Sequence, residues 1–354
     1  MVNFLLVLLL VLCLIIVVRT FRFIPAKEET LKMETVDLNR EKIVSNFSKM
    51  IQCKTITYNE REKIDQIEFN KFRELLKVFY PNVHCMCDRE EIGDSGILYR
   101  WKGKYSEQVT VLMSHYDVVP ANEELWIKPP FDGVIEEDVV WGRGTLDTKG
   151  TLCGVLEAAE YLMEQGFIPD QDIYFSFSGD EEISGNSAPL IVEYLKQRNI
   201  SPALVLDEGG AVVEGIFPGV QRPCALIGIG EKGYMDVLLE ITGQGGHSSA
   251  PPTHTLVGIL AKAVVRIENK SFKAHFTPPT LELFSTLGRY SSFALRMIFA
   301  NLWCFNPLLK FLFKRKGGEM NALLRTTCAI TKMEGSEAFN VMPPKARVGM
   351  NLVK

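Results

Sequence analysis

Three short apolar runs, "VTVLMSH", "DIYFSFSG" and "PALVLDEGG", each close on polar or glycine residues, and stretches of helical periodicity separate them. Uninterrupted apolar runs of this length belong to strands covered on both faces, as parallel strands are. Between the first two lies "TLCGVLEAAEYLMEQG", an amphipathic helix that stops at Gly166 with Pro169 just beyond. Upstream, "REKIVSNFSKMIQ" and "IEFNKFRELLKVFY" carry apolar residues at helical spacing. Strands alternating with helices leave few solutions. The expected fold is α/β, a mostly parallel sheet with helices on both faces.

The ends of these runs carry the chemistry. In "SHYDVVPA", His115 and Asp117 stand two apart, so an extended chain projects them from one face. Open α/β sheets place their sites at such strand ends. "WGRGTLDTKG" puts Asp147 in a glycine-rich turn before a helix. "FSGDEEISG" brings Asp180, Glu181 and Glu182 together, and "LVLDEGG" ends on Asp207 and Glu208. The intervals 147−115=32, 182−147=35 and 207−182=25 each correspond to about one strand–helix unit. His115, Asp147, Glu182 and Asp207 are therefore expected to converge on one sheet edge. Crowded carboxylates repel one another and resist ionising. A divalent metal resolves the conflict, and one imidazole with several carboxylates suits zinc, with enough charge for two ions and a bridging acid. The bland alternative makes each acid a solvated loop residue or a helix cap. Glu181 and Glu182 invite separate roles, one as ligand and one as proton acceptor for hydrolysis. Asp117 would hold a ligand in place.

The N-terminus differs from the rest. Residues 1–18, "MVNFLLVLLLVLCLIIVV", contain no charge and precede Arg19, Arg22 and Lys27. That length just spans a bilayer. A signal peptide would want a basic start and a small-residue cleavage site, so a single-pass anchor over 1–20 is the favoured reading. The trailing positive charge places the bulk of the chain on the cytoplasmic side by the positive-inside rule. A polar linker is expected over 21–40. The net charge of −4 argues against a nucleic-acid partner. The eight cysteines are scattered and read as incidental thiols.

Near residue 222 the texture changes. "ALIGIGEKGYMDVLLEITGQGGHSS" alternates as antiparallel strands do, and a helix follows in "PPTHTLVGILAKAVVRIEN". A smaller α+β domain is expected over 222–354, after a domain over 41–221. "GIGEKG" matches a dinucleotide fingerprint, but a strand pattern follows it where a helix is required, so the match is rejected. The stretch 290–316, "YSSFALRMIFANLWCFNPLLKFLFKRK", is apolar and aromatic, then basic. Core packing is its default account, and a surface meeting lipid or an acyl chain is the sharper one.

These motifs, in this order, resemble the dizinc exopeptidase and aminoacylase family, which includes carboxypeptidase S. "SHYDVVP", "WGRGTLDTKG", "GDEEISG" and "VLDEGG" match its metal-site motifs, and "GQGGHSSAPP" and "FNVMPP" match its lid domain. The likeness covers about 45 to 354 and looks nearest to the carboxypeptidase S and N-fatty-acyl-amino-acid synthase/hydrolase branch. It implies two Zn2+ per subunit in the complete enzyme. His115 and Asp207 would hold one zinc, Glu182 the other, and Asp147 would bridge them. Glu181 would be the general base and Asp117 its supporting acid. His247 would stabilise the oxyanion, in the site of a partner subunit, and Asn340 would bind the substrate carboxylate.

Two departures accompany the likeness. The family takes a further histidine ligand from a C-terminal segment, and no histidine follows His275 here. Where the family tends to have Asn-x-Arg, this chain has Asn351-Leu352-Val353. The chain therefore reads as truncated before the C-terminal part. The expected function is metal-dependent hydrolysis of an amide next to a free carboxylate, in a dipeptide or an N-acyl amino acid. The alternative is a catalytically silent chain acting only through lid-mediated homodimerisation.

Overall fold

The computed structural model describes residues 2–27, 35–215, 217 and 219–354; residues 28–34 of the expected linker lie outside them. Its contacts divide the chain into two units, one over 32–209 and one joining 1–31 to 210–354.

The apolar N-terminus forms a single helix, α1 (Val2–Arg22). In the 32–209 unit, three helices come first: α2 (Arg40–Ile51), α3 (Gln66–Phe79) and α4 (Pro81–Met86). Strands β1 (Asp88–Ile92), β2 (Gly96–Trp101) and β3 (Tyr105–His115) follow, then a small hairpin of β4 (Val134–Glu136) and β5 (Val139–Trp141). The unit closes with α5 (Lys149–Glu164), β6 (Gln171–Ser178), α6 (Ser187–Gln197) and β7 (Leu204–Leu206).

Five of these strands make one sheet in the order β1-β2-β6-β3-β7. Its centre is parallel, β3 lying between β6 and β7, and the β1–β2 hairpin adds an antiparallel margin. Strand alternation sorts the core onto two faces. From β2 and β6, Ile97, Tyr99, Trp101, Phe175 and Phe177 turn toward Met50, Phe72, Leu76, Leu152 and Leu156 of α2, α3 and α5. Leu98 and Tyr174 turn the other way, with Val109 and Val111 of β3, onto Ile191 and Leu195 of α6. Helices thus cover both faces, and the layered α/β expectation holds.

One expected strand departs from its pattern. The run before Asp207 is a parallel strand, but Leu204, Val205 and Leu206 are 55%, 51% and 54% exposed instead of buried on both faces. Their strand, β7, lies at the sheet edge and pairs only with β3 among the described residues, so nothing described covers it.

Buried acids tie the helices down. Glu160 of α5 is nearly inaccessible, and its carboxylate accepts the backbone N–H groups of Asn82 and Val83 and the Asn82 amide, all at 2.9–3.0 Å. These are donors from the first turn of α4, which has no side-chain cap of its own. Glu160→Ala removes three hydrogen bonds to an ionised group and should cost about 3 kcal/mol. Denaturant unfolding of the purified chain checks this, and a loss under about 1 kcal/mol would refute the capping role.

The second unit adds β8 (Ala211–Val213), β9 (Cys224–Leu226), β10 (Tyr234–Thr242) and β11 (Gly246–His247), then α7 (Leu256–Asn269). Four helices follow, α8 (Pro278–Gly288), α9 (Phe293–Ala300), α10 (Leu302–Lys316) and α11 (Gly318–Ala322), of which α9 and α10 make up the apolar stretch. Strands β12 (Thr327–Glu334), β13 (Val341–Met342) and β14 (Lys345–Val353) complete it. An antiparallel sheet, β10-β14-β12, packs Val348 and Met350 against Leu260 of α7. The segment "GIGEKG" leads into a strand, β10, so the rejected dinucleotide match stays rejected. The inner faces of α8 to α10 form a separate aromatic core around Phe284, Phe299 and Phe313.

Candidate metal centre

Every group at this centre hangs from a strand end or a helix start of the 32–209 unit. His115 is the last residue of β3, opposite Ser178, the last residue of β6. The chain beyond it is held firmly. The Tyr116 N–H bonds the Ser178 carbonyl at 2.9 Å, and its fully buried ring stacks on Phe72 with the planes 4° apart. Residues 55–57 run alongside, Val118 N–H donating to the Thr55 carbonyl and Thr57 N–H to that of Val118.

Asp117 is completely buried and organises its surroundings. One carboxylate oxygen accepts the backbone N–H of Glu181 at 3.1 Å and lies 3.3 Å from His115 Nδ1. The other accepts the N–H of Glu182 at 3.1 Å and the Thr57 hydroxyl at 2.9 Å. A single acid therefore fixes the imidazole and the turn after β6 together. With Nδ1 engaged, also 3.1 Å from the Asp117 carbonyl, Nε2 is the nitrogen left for a ligand.

Nε2 looks onto acids from three other elements. Asp147 Oδ1 is 2.9 Å away, Glu208 Oε2 3.4 Å and Glu181 Oε2 3.7 Å. The Asp147 turn is pinned to β3 because the Ser114 hydroxyl donates to the Thr148 carbonyl at 3.1 Å. Next to it Lys149, with no exposed surface, donates to the carbonyls of Met50 and Cys53 at 3.1 and 2.7 Å. Two sets, His115–Asp147–Glu182 and His115–Glu181–Glu208, each offer one ligand atom per residue within 4.8 Å of one another.

The electrostatics of the cluster match its crowding. Burial lowers the His115 pKa, but Asp117, Glu208 and Glu181 outweigh it and push it to about 9. Burial and surrounding acids raise Glu181 and Glu182, against the opposing pull of His115. Glu208 is pushed to about 7 by burial and by Asp147, Glu181 and Asp207, His115 again opposing.

Asp147 and Glu182 lie together with His115, and Asp207 belongs to neither ligand set. Asp207 is near enough for its charge to act on Glu181 and Glu208, yet Glu208 is the acid from this turn that faces His115. The sequence motif "LVLDEGG" does not by itself single out Glu208. Adjacent residues at a strand end point to opposite sides, and a motif alone leaves that choice open. Asp180, first of the acidic run, accepts the backbone N–H groups of Asn186 and Ser187 at the start of α6, which is a capping role.

His247 and Asn340 belong to the other unit, where the fold brings them together. His247 in β11 pairs with Val341 of β13, and Ser248 N–H donates to the Asn340 carbonyl at 3.0 Å. The exposed His247 ring engages the Ser249 hydroxyl through Nδ1 at 2.9 Å.

Comparison with known proteins points the same way. The model of peptidase family M20/M25/M40 matches residues 111–304. A carboxypeptidase S-like protein of Dictyostelium discoideum is 37% identical over 96% of this chain and 67% of its own length. The N-fatty-acyl-amino acid synthase/hydrolase of Xenopus tropicalis is 35% identical over 97% of this chain and 69% of its own. Carboxypeptidase S of Saccharomyces cerevisiae is 31% identical over 88% of this chain and 57% of its own. Among solved structures, an M20 family metallo-carboxypeptidase from Sulfolobus solfataricus superposes with a TM-score of 0.60 at 19% identity, covering 88% of this chain and 70% of that one. At that identity the likeness speaks for the fold.

Proposed function

We propose, for a chain that belongs to peptidase family M20/M25/M40, that it hydrolyses an amide bond beside a free carboxylate with two bound zinc ions. Peptides and N-acyl amino acids are the substrate classes that fit its relatives. The observation that carries this reading is the convergence of one imidazole and several crowded carboxylates on a single sheet edge.

The donor set fits the ions. His115 and Asp207 would hold one zinc, Glu182 the other, and Asp147 would bridge, with Glu208 beside them. Bound there, the ions supply Lewis-acid polarisation of a carbonyl and a lowered pKa for water. Asp117 keeps the imidazole and the Glu181–Glu182 turn in register. Of the adjacent pair, Glu182 would serve as a ligand beside His115 and Asp147, and Glu181, which stands with His115 and Glu208, would accept the proton of the attacking water and hand it to the leaving nitrogen. Burial has already raised the Glu181 pKa, the direction a base working near neutrality needs. From the smaller unit His247 would steady the developing oxyanion, serving the site of a partner subunit in a homodimer. Its Nδ1 is occupied by Ser249, so Nε2 is the donor. Asn340, on the adjoining strand, would meet the substrate carboxylate.

The test is an assay of the protein purified from the cells that make it, using an N-acyl amino acid and its carboxamide counterpart. Hydrolysis of the acid alone, abolished by a chelator and restored by zinc, is the expected result. Cleavage that survives chelation, or that treats both compounds equally, would overturn the reading.

A further inference from the structure

The apolar stretch ending in "KFLFKRK" and the N-terminal helix form one body. The less exposed positions of α1, namely Leu12, Ile16 and Thr20, recur every fourth residue on a helix that packs against α9. The junction is built from specific polar contacts. Asn301 has no exposed surface, and its amide donates to the Ile16 carbonyl and to Thr20 Oγ1, both at 3.3 Å. The Arg19 guanidinium donates twice to the Ala300 carbonyl, at 3.1 and 3.2 Å. Arg289 lies over the Phe23 ring and donates to the Ile24 carbonyl at 3.0 Å. Removing α1 would strip the buried Asn301 amide of two acceptors, so the fold favours a helix that stays.

What α9 and α10 turn outward is unusual for a surface in water. Phe293, Trp303 and Phe311 are 51%, 55% and 60% exposed, and Leu308 and Leu312 are exposed beside them. On α10, Trp303, Pro307 and Phe311 fall every fourth residue along one stripe, while Leu309 and Phe313 pack inward. The charge is one-sided. Between Glu282 and Glu319 there is no acid, and there are six cations: Arg289, Arg296, Lys310, Lys314, Arg315 and Lys316. The last three are exposed at the end of α10.

Depth follows from helix geometry. Leu12 lies six residues before Val18, the end of the uncharged run, or about 9 Å along the axis. An interfacial helix buries its apolar face about 5–10 Å into the boundary of headgroups and acyl chains. A spanning α1 would therefore carry α9 to that depth.

We propose that α9 and α10 sit in the headgroup region of an anionic membrane, in the leaflet on the C-terminal side of α1. Trp303 and Phe311 enter the lipid boundary, and Lys314, Arg315 and Lys316 meet acidic headgroups. The inference rests on α1 being an uncleaved anchor, and the occupant of the apolar face is the bilayer that α1 already spans.

The full chain is reconstituted into vesicles of phosphatidylcholine with phosphatidylserine, part of the lipid carrying a spin-label quencher just below the headgroup. The Trp303 signal is taken as the difference between the wild type and Trp303→Phe. A loss of roughly half of that emission is expected, since tryptophan rings settle at headgroup level. It should be weaker in vesicles of phosphatidylcholine alone. A chain with Lys314, Arg315 and Lys316 all changed to glutamine should lose the difference between the two lipids. An inserted, carbonate-resistant chain whose Trp303 emission ignores the quencher overturns the inference and leaves the anchor intact. A mature protein whose N-terminal residue lies beyond Arg22 overturns the anchor, and the inference with it.

Discussion

Replacing Glu181 with glutamine will lower kcat at least about a hundredfold while leaving the metal content unchanged, because general-base catalysis typically contributes about 10²–10⁴-fold. The substitution keeps the side chain's shape and removes its ability to take a proton. The backbone N–H at this position is held by Asp117 and does not depend on the side chain, so the turn should persist. Glu182→Gln makes the contrast. Its side chain stands with His115 and Asp147, the proposed bridging acid, where Glu181 stands with His115 and Glu208, and a neutral amide is a poorer ligand than a carboxylate. That variant should lose metal together with activity. Elemental analysis and single-turnover kinetics on the two purified variants decide between these roles. If the variants behave alike, or if Glu181→Gln turns over normally, the assignment of base and ligand is wrong.

The second large effect is on stability. Divalent metal at about 1,000 times its dissociation constant should raise the unfolding free energy by about 4 kcal/mol, since it binds the folded state alone. His115→Ala should abolish most of that gain, because His115 belongs to both ligand sets. The metal-free chain should also respond to pH in a definite sense. The folded pKa values of Glu208 (about 7) and His115 (about 9) both lie above their ordinary values of 4.5 and 6.5. The folded state thus binds more protons than the unfolded one through that window, and stability falls as pH rises from about 4.5 to 9. Metal displaces those protons, so the decline should flatten once it is bound. Thermal unfolding across pH, with and without zinc, checks the sign. A chain equally stable with and without metal would contradict the centre itself.

The other carboxylate of consequence, Asp117, shows how far local pattern carries. Its two-residue spacing from His115 placed it beside the imidazole, and there it lies. Its bonds to the N–H groups of Glu181 and Glu182 cross 64 and 65 residues of chain, and no local pattern contains them.

The same division runs through the molecule. Periodicity and stop signals act over a few residues, so the sequence alone determined α5, the parallel strands β3 and β6, the acids at their ends and the apolar helix at the start. It also determined the rejection of "GIGEKG", since a strand alternates whatever surrounds it. Only the tertiary structure decided which of the adjacent Asp207 and Glu208 turns to His115, because that choice depends on how β7 ends beside β3. It alone decided that β7 is an exposed edge, since an apolar run is the same run whether or not another layer covers it. The seating of Asn301 on Ile16 and Thr20 was likewise out of reach of the sequence. That contact joins residues 281 and 285 positions apart, and only the folded chain pays the entropy of bringing such distant groups together.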